Sequence, residues 1–196
     1  MERIYLDHAA TTPIDKDVLR RILEIQSEHF GNPSSVHSEG RRARALIDSA
    51  RDQIANSIHS DYGEITFTSG GTEADNLAVL GAMQAAPNGK NRLIVSSIEH
   101  HAVLHAAHRA TELGFNVTYL PVNAEGKVDP EDLRNCIDET VALVSVMHAN
   151  NEIGTIQDIS KMAKIAHGVG ALFHTDAVQT FGILPIDVNG IGCDLM

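Results

Sequence analysis

The chain has 196 residues, 43% of them apolar, with 15 basic against 26 acidic side chains and a net charge of −11. That length and composition suit one ordinary globular domain with a real core, and the acidity argues against electrostatic grip on a nucleic-acid backbone. No apolar run is long enough to span a bilayer, and no basic-then-apolar signal segment opens the chain. Cys136 and Cys193 lie too far apart in sequence to form a metal or redox motif, so a reducing cytoplasm is the expected setting.

In chain order, Thr12-Pro13 predicts a helix cap followed by proline at the first helical position, with Asp15 in the first turn. Val18, Leu19, Ile22 and Leu23 then fall on one helical face. Phe30 to Ser35 is a break, and a second helix is expected over residues 38–58. Residues 64–68 read as a short strand, and Ser69-Gly70-Gly71-Thr72-Glu73 as a loop opening a helix that runs to about Ala85. Strands are expected at 92–96, 116–120, 141–147 and 171–174. Helices are expected at 100–113, from Asp129-Pro130, and at 158–167, with Gly114 closing the first of these. The unbroken apolar character of 141–147 marks a strand buried on both faces. Alternating strands and helices imply an α/β domain with a mostly parallel sheet flanked by helices. The chain stops on Cys193-Asp194-Leu195-Met196, an apolar run with no cap or polar tail, so the domain is expected to be incomplete at its C-terminus.

In such sheets ligands gather beyond the carboxyl ends of the strands. After the first of these strand runs, Gly70-Gly71-Thr72 lets the backbone approach a ligand and offers a helix N-terminus to a phosphate. A glycine-rich turn with a helix cap is the plain alternative. The spacing is neither that of a Walker motif nor that of a Rossmann fingerprint. Next comes Glu99-His100-His101, where a histidine at a helix start could stack or move protons; a surface histidine is the alternative. His101, His105 and His108 share a helix face, but without the HExxH pattern a solvated face is the better reading and no metal is expected. Asn150-Asn151 follows the buried strand, and its amides can serve each other, a turn or a ligand. Asp176 emerges at the last strand's end, where a carboxylate is costly unless it meets a cation or a proton. Gln179 lies three residues on. An N-cap aspartate with a bystander glutamine is the alternative. Together, a phosphate cradle, a ring stacker and a carboxylate on one rim suit a phosphorylated heteroaromatic cofactor. Pyridoxal 5′-phosphate fits best, because it acts as an electron sink when its ring nitrogen is held protonated.

Here the sequence resembles the cysteine desulfurases, the NifS/IscS-like group of the class V aminotransferase family of pyridoxal-phosphate enzymes. The resemblance rests on Tyr5 to Pro13, Phe30 to Ser35, Phe67 to Glu73, Glu99 to Val103, Asn150 to Gly154 and His174 to Gln179, and it runs from Tyr5 to Met196. It implies the large domain of fold type I, with residues 1–14 belonging to a small domain and 15–196 to the cofactor-binding large domain. It implies that Gly71 and Thr72 bind the phosphate and that His100 stacks on the ring and exchanges protons with substrate. Asn151 and Gln179 would bond near the phenolic oxygen, and Asp176 would pair with the ring nitrogen. The implied reaction takes L-cysteine to L-alanine, with sulfur held as an enzyme persulfide. Sulfur then passes to an iron–sulfur scaffold or a tRNA-thiolation enzyme. The implied protein is a cytoplasmic homodimer with no direct nucleic-acid or membrane partner.

The family's cofactor-bearing lysine and persulfide cysteine match nothing in this chain. By the resemblance the lysine falls shortly beyond Met196 and the cysteine later still. Lys161 and Lys164 sit on an amphipathic helix, and Cys136 and Cys193 read as structural. The 196-residue chain is therefore expected to be inactive by itself. Another class V enzyme, such as a selenocysteine lyase or an aminotransferase, and a non-catalytic binding protein are the alternatives.

Overall fold

The computed structural model describes residues 4–196. The chain forms two compact units, one up to Ile65 and one from Thr66 to Met196. Among the described residues no helix is long and apolar enough to cross a membrane.

The first unit holds helices α1 (Lys16–Glu28) and α2 (Ser38–Ile58) and a 3₁₀ turn at Tyr62–Glu64. Helix α1 starts later than expected. The cap is Asp15 rather than Thr12: its carboxylate accepts from the N–H of Asp17 at 2.8 Å and of Val18 at 3.4 Å. A charged acceptor meeting two orphan helix donors is the stronger nucleus. Helix α2 has the predicted bounds. The Phe30–Ser35 break packs under it, and a Cβ on Gly40 would lie 2.7 Å from the Asn32 carbonyl oxygen and would collide with that of Ser35. Glycine is required there by close approach of backbone.

The second unit runs α3 (Gly71–Gln84), β1 (Arg92–Ser96), α4 (His101–Glu112), β2 (Asn116–Leu120) and α5 (Pro130–Cys136). It continues with β3 (Val141–Ser145), α6 (Ile159–Gly168), β4 (Leu172–His174) and α7 (Val188–Ile191), a short helix the sequence did not suggest. The four strands form one parallel sheet in the order β2-β1-β3-β4. One apolar cluster joins Ile94, Leu120, Val144 and Phe173 to Leu133 of α5 and to Ile159, Met162, Ala163 and Ala166 of α6. A second joins Leu93, Val95, Ala142 and Leu143 to Val79 and Met83 of α3 and to Val103, Ala106, Ala107 and Ala110 of α4. The alternation of neighbours in β1 between these clusters is the period-2 geometry of a strand covered on both faces.

Three predicted strands changed. Residues 64–68 join no ladder: the 3₁₀ turn takes Glu64, and Phe67 is exposed. Apolar character alone does not make a strand without a neighbour to pair with. Strand β3 stops at Ser145 because the Met147 N–H is diverted to the Glu99 carboxylate at 2.7 Å. Strand β4 starts at Leu172 because the Ala171 N–H is spent on Ala166 O at the end of α6. Beyond β4, Leu195 bridges His174 in parallel, and the Thr175 N–H donates to Leu195 O at 3.0 Å.

Candidate functional site

The strand order reverses between β1 and β3: β2 lies outside β1 on one side, while β3 and β4 continue on the other. A crevice opens at the carboxyl ends of strands at such a switch point. The segments leaving β1, β3 and β4 carry His100, Asn151 and Asp176, and α3, which packs on β3 and β4, brings Gly71 and Thr72. All six sequence-predicted residues therefore lie in the second unit, on segments that converge at one edge of the sheet.

Helix α3 begins at Gly71, and its cap residue, Gly70, has no side chain to satisfy the first N–H groups. Ahead of it, the Glu73 carboxylate accepts from both the N–H and the hydroxyl of Ser69, at 2.7 and 2.5 Å, which fixes the loop. A Cβ on Gly71 would lie 2.9 Å from Val178 Cγ2. The glycine loop thus touches the Asp176–Gln179 turn.

His100 is the N-cap of α4. Its Nδ1 accepts from the Ala102 N–H at 3.2 Å, and the side chain stays exposed. Donor atoms of His100, Asp75 and Asp176 all lie within 4.8 Å of one another. Asp176 is 6% exposed, and its Oδ1 accepts from the Val178 N–H at 2.9 Å. Its carbonyl accepts from the His148 N–H at 2.9 Å, and the neighbouring Thr175 hydroxyl donates to Val146 O at 2.8 Å. His148 Nδ1 in turn meets Thr180 Oγ1 at 2.9 Å. The turn after β4 is thereby tied to the segment leaving β3.

The two asparagines divide their work. Asn150 is structural: its amide NH₂ donates to Ile98 O at 3.0 Å, and its Oδ1 caps the N–H groups of Glu152 and Ile153. Asn151 is half-buried in the turn that Asn150 builds, and Gln179 is half-buried after Asp176. Because Asn150 holds Ile98, the Asn151 turn is pinned to the loop that carries His100.

A buried polar layer lies beneath these groups. Glu99 Oε1 accepts from the Ser96 hydroxyl at 2.5 Å as well as from Met147 N–H, while Oε2 is buried with no partner. Burial pushes the Glu99 carboxyl up to about 8, against the pull of those hydrogen bonds. Burial first, and then the charge of Asp176, push the Asp75 carboxyl up to about 7. His174 is fully buried; its Nδ1 meets Ser145 Oγ at 2.8 Å, and burial lowers it to about 4. Among the described ion pairs no lysine or arginine reaches Asp75, Glu99 or Asp176. The site is a buried acidic cluster in which burial favours the protonated forms of Glu99 and Asp75, and it can receive a cation.

Asp75 is the residue that sequence reading missed. It lies four positions after Gly71 in an otherwise ordinary helix, and only the fold sets it against Asp176. A lone polar residue on the apolar face of α3 was the available signal. His101 and His105 stack at 5.7 Å on the exposed face of α4. The two cysteines are half-buried, and burial raises both thiols, Cys193 to about 11.

Known proteins resemble this chain in sequence and fold. The chain is 49% identical over 98% of its length to the cysteine desulfurase IscS of Dictyoglomus turgidum and 48% identical over its whole length to a putative cysteine desulfurase IscS 1 of Bacillus subtilis. It covers 49% and 52% of those proteins, so the chain spans about half the length of the curated relatives it matches. Among solved structures, a NifS-like protein superposes with a TM-score of 0.95 at 36% identity, over 98% of this chain and 53% of that one. A structure described as SspA in complex with cysteine gives 0.92 at 39% identity, over 97% and 55%. The parallel sheet flanked by helices is therefore that of the fold type I, pyridoxal-phosphate-dependent enzymes. The aminotransferase class-V family model matches residues 4–196, and the chain belongs to the class-V aminotransferase family.

Proposed function

We propose that this chain provides the cofactor-holding half of a pyridoxal-phosphate-dependent cysteine desulfurase. The observation that carries the reading is Asp176: a buried carboxylate, within reach of His100 and beside an uncapped helix N-terminus, with no lysine or arginine ion-paired to it among the described residues. A phosphorylated ring with a protonatable nitrogen fits these groups. Its phosphate suits the N–H groups at Gly71 and Thr72, which open α3 after Gly70, a residue with open space where a Cβ would sit. Its ring nitrogen suits Asp176, and the pyridinium so held supplies an electron sink when bound.

The chain's own residues then have distinct tasks. Asp176 holds the ring nitrogen's proton, and the hydrogen bonds around residues 175–178 fix the carboxylate's position. His100, anchored at the start of α4, packs against the ring and moves a proton at the substrate. Asn151 and Gln179 orient the ring from its oxygen-bearing edge. The thiols of Cys136 and Cys193 are raised by burial, so neither is a thiolate suited to receive sulfur. Both covalent groups, the cofactor-bearing lysine and the persulfide cysteine, belong in this reading to the half of the relatives' length that the chain does not span.

For the whole protein the reading implies L-cysteine as substrate, and relatives named for that activity support it, as does the structure in complex with cysteine. It further implies a cytoplasmic homodimer that passes sulfur to an iron–sulfur scaffold or a tRNA-thiolation enzyme. It also assigns residues 1–14 to a small second domain.

Spectroscopic titration of the chain with pyridoxal phosphate tests the cofactor reading. Reversible binding that borohydride does not fix, weakened at least tenfold by Asp176→Ala, is expected. A borohydride-stable adduct, or binding untouched by Asp176→Ala, would refute it. In a chain extended to the full length of the relatives, His100→Ala should sharply slow alanine release from cysteine.

A further inference from the structure

We propose that Asp75 and Asp176 form a one-proton carboxyl pair that carries a shared proton when the crevice is empty and gives it up when a cationic ring settles against Asp176. This rests on the cofactor reading above for the ligand, but the pair itself rests on geometry.

Asp75 is 4% exposed on the sheet-facing side of α3, and Asp176 is 6% exposed just after β4. Oxygen atoms of the two lie within 4.8 Å of each other and of a His100 nitrogen. The groups facing Asp75 from the neighbouring elements are Asp176 and His174 at the end of β4, Glu99 in the loop after β1, and His100 at the cap of α4. No lysine or arginine is among them. Two imidazoles lie near the pair: His100, exposed at the cap of α4 with a nitrogen within 4.8 Å of both carboxylates, and the buried His174 ring. Its Nε2 lies 3.6 Å from Asp75 Oδ1, fully buried and without a hydrogen-bond partner. Burial holds His174 well below its ordinary value, at about 4, which favours the neutral ring.

Two buried carboxylates this close, with no cation, cannot both ionise cheaply. Asp75 is the one with the raised value, and the charge of Asp176 contributes to it. A pyridinium against Asp176 changes the balance by adding one positive charge. The Asp75 O–H bond then breaks, its electron pair stays on the carboxylate, and the proton leaves to solvent. Asp75 would thus let an acidic crevice exist without a cofactor and become fully anionic with one. It is a positioning residue, acting on the ring through Asp176.

Two measurements test this. The first uses the cofactor-free chain with ¹³C-labelled aspartate, whose side-chain carboxyl signals are followed against pH. One carboxyl should titrate near neutrality, vanish in Asp75→Asn and move down by at least one pH unit in Asp176→Asn. An Asp75 signal titrating in the ordinary carboxylate range would overturn the pair, as would one indifferent to Asp176→Asn. The second is calorimetric binding of pyridoxal phosphate at pH 6 in two buffers of different ionisation enthalpy. The chain should release close to one more proton than Asp75→Asn does. Equal release from both would overturn the coupling. If neither chain binds pyridoxal phosphate, the cofactor reading fails, and the titration still decides whether the pair exists.

Discussion

Glu99→Gln isolates the cost of burying an acid beneath the crevice. The glutamate sits 5% exposed, with Oε1 taking two hydrogen bonds and Oε2 taking none. Its native value of about 8 stands above the ordinary 4.5, so the folded protein binds the extra proton. Stability contributed by that proton is present below pH 4.5, falls as pH rises, and is gone above about pH 8. At about 1.4 kcal/mol per pH unit, this amounts to roughly 5 kcal/mol over the full window and roughly 3 kcal/mol between pH 5 and 7. Glutamine keeps an oxygen for Ser96 and Met147 but cannot ionise. Its new amide donor has no partner, which costs about 1–3 kcal/mol at every pH. Urea unfolding of both proteins, followed by circular dichroism at pH 5, 6, 7 and 8, should therefore give profiles that converge or cross as pH rises. The variant gains on the wild type by roughly 3 kcal/mol from pH 5 to 7. Asp75, which shifts in the same direction, is present in both proteins and largely cancels. Parallel profiles would refute the reasoning, because they would mean Glu99 is already ionised or is solvated in the native state.

Further expectations concern the frame of the site. Ser145→Ala removes the partner of His174 Nδ1, and with Nε2 already unpaired the buried ring is left with no hydrogen bond. The loss should be about 1–3 kcal/mol in urea unfolding at pH 7, and an unchanged midpoint would argue against this bond. His174 also works against the acid trend. Its value is lowered from 6.5 to about 4, so stability falls as pH drops through that window, and His174→Gln should flatten the acid limb of the profile. Two glycines should behave oppositely. Gly81→Ala, exposed on α3 with open space at its Cβ, should add about 0.5–1 kcal/mol. Gly40→Ala should destabilise by more than about 1 kcal/mol, since the atoms it meets are backbone carbonyls that cannot rotate away. Equal effects of the two substitutions would contradict the packing described under α2.

The crevice itself needs both neutral and charged acids. Near neutral pH, Glu99 in its protonated form holds the ends of β1 and β3 together through Ser96 and Met147. That tie sets where the Glu99-His100 turn leaves the sheet. Asp176 keeps its place through backbone bonds rather than through a counter-ion, which leaves its charge available to a ligand. A lysine or arginine beside Asp176 would cancel the charge on which the proposed cofactor reading rests.

The sequence by itself determined the run of elements and the place of the chemistry. Strands β1 and β2 and helix α2 have the predicted bounds, because side-chain periodicity and caps are local properties. His100, Asn151, Asp176 and Gln179 stood out because strand ends in a parallel sheet are where unusual polar residues have a reason to be, and Gly71 and Thr72 because a glycine pair opens a helix. The order of the strands, the failure of residues 64–68 to pair and the later start of α1 were not legible, since each depends on a competition between neighbours. The same holds for the buried acids. Asp75 reads as one polar residue in a helix, and its raised value exists only because the fold removes it from water and sets it within 4.8 Å of Asp176. Burial and charge–charge distance are properties of the packed chain, so the sequence located the rim of the site while tertiary structure alone decided the protonation of the layer beneath it.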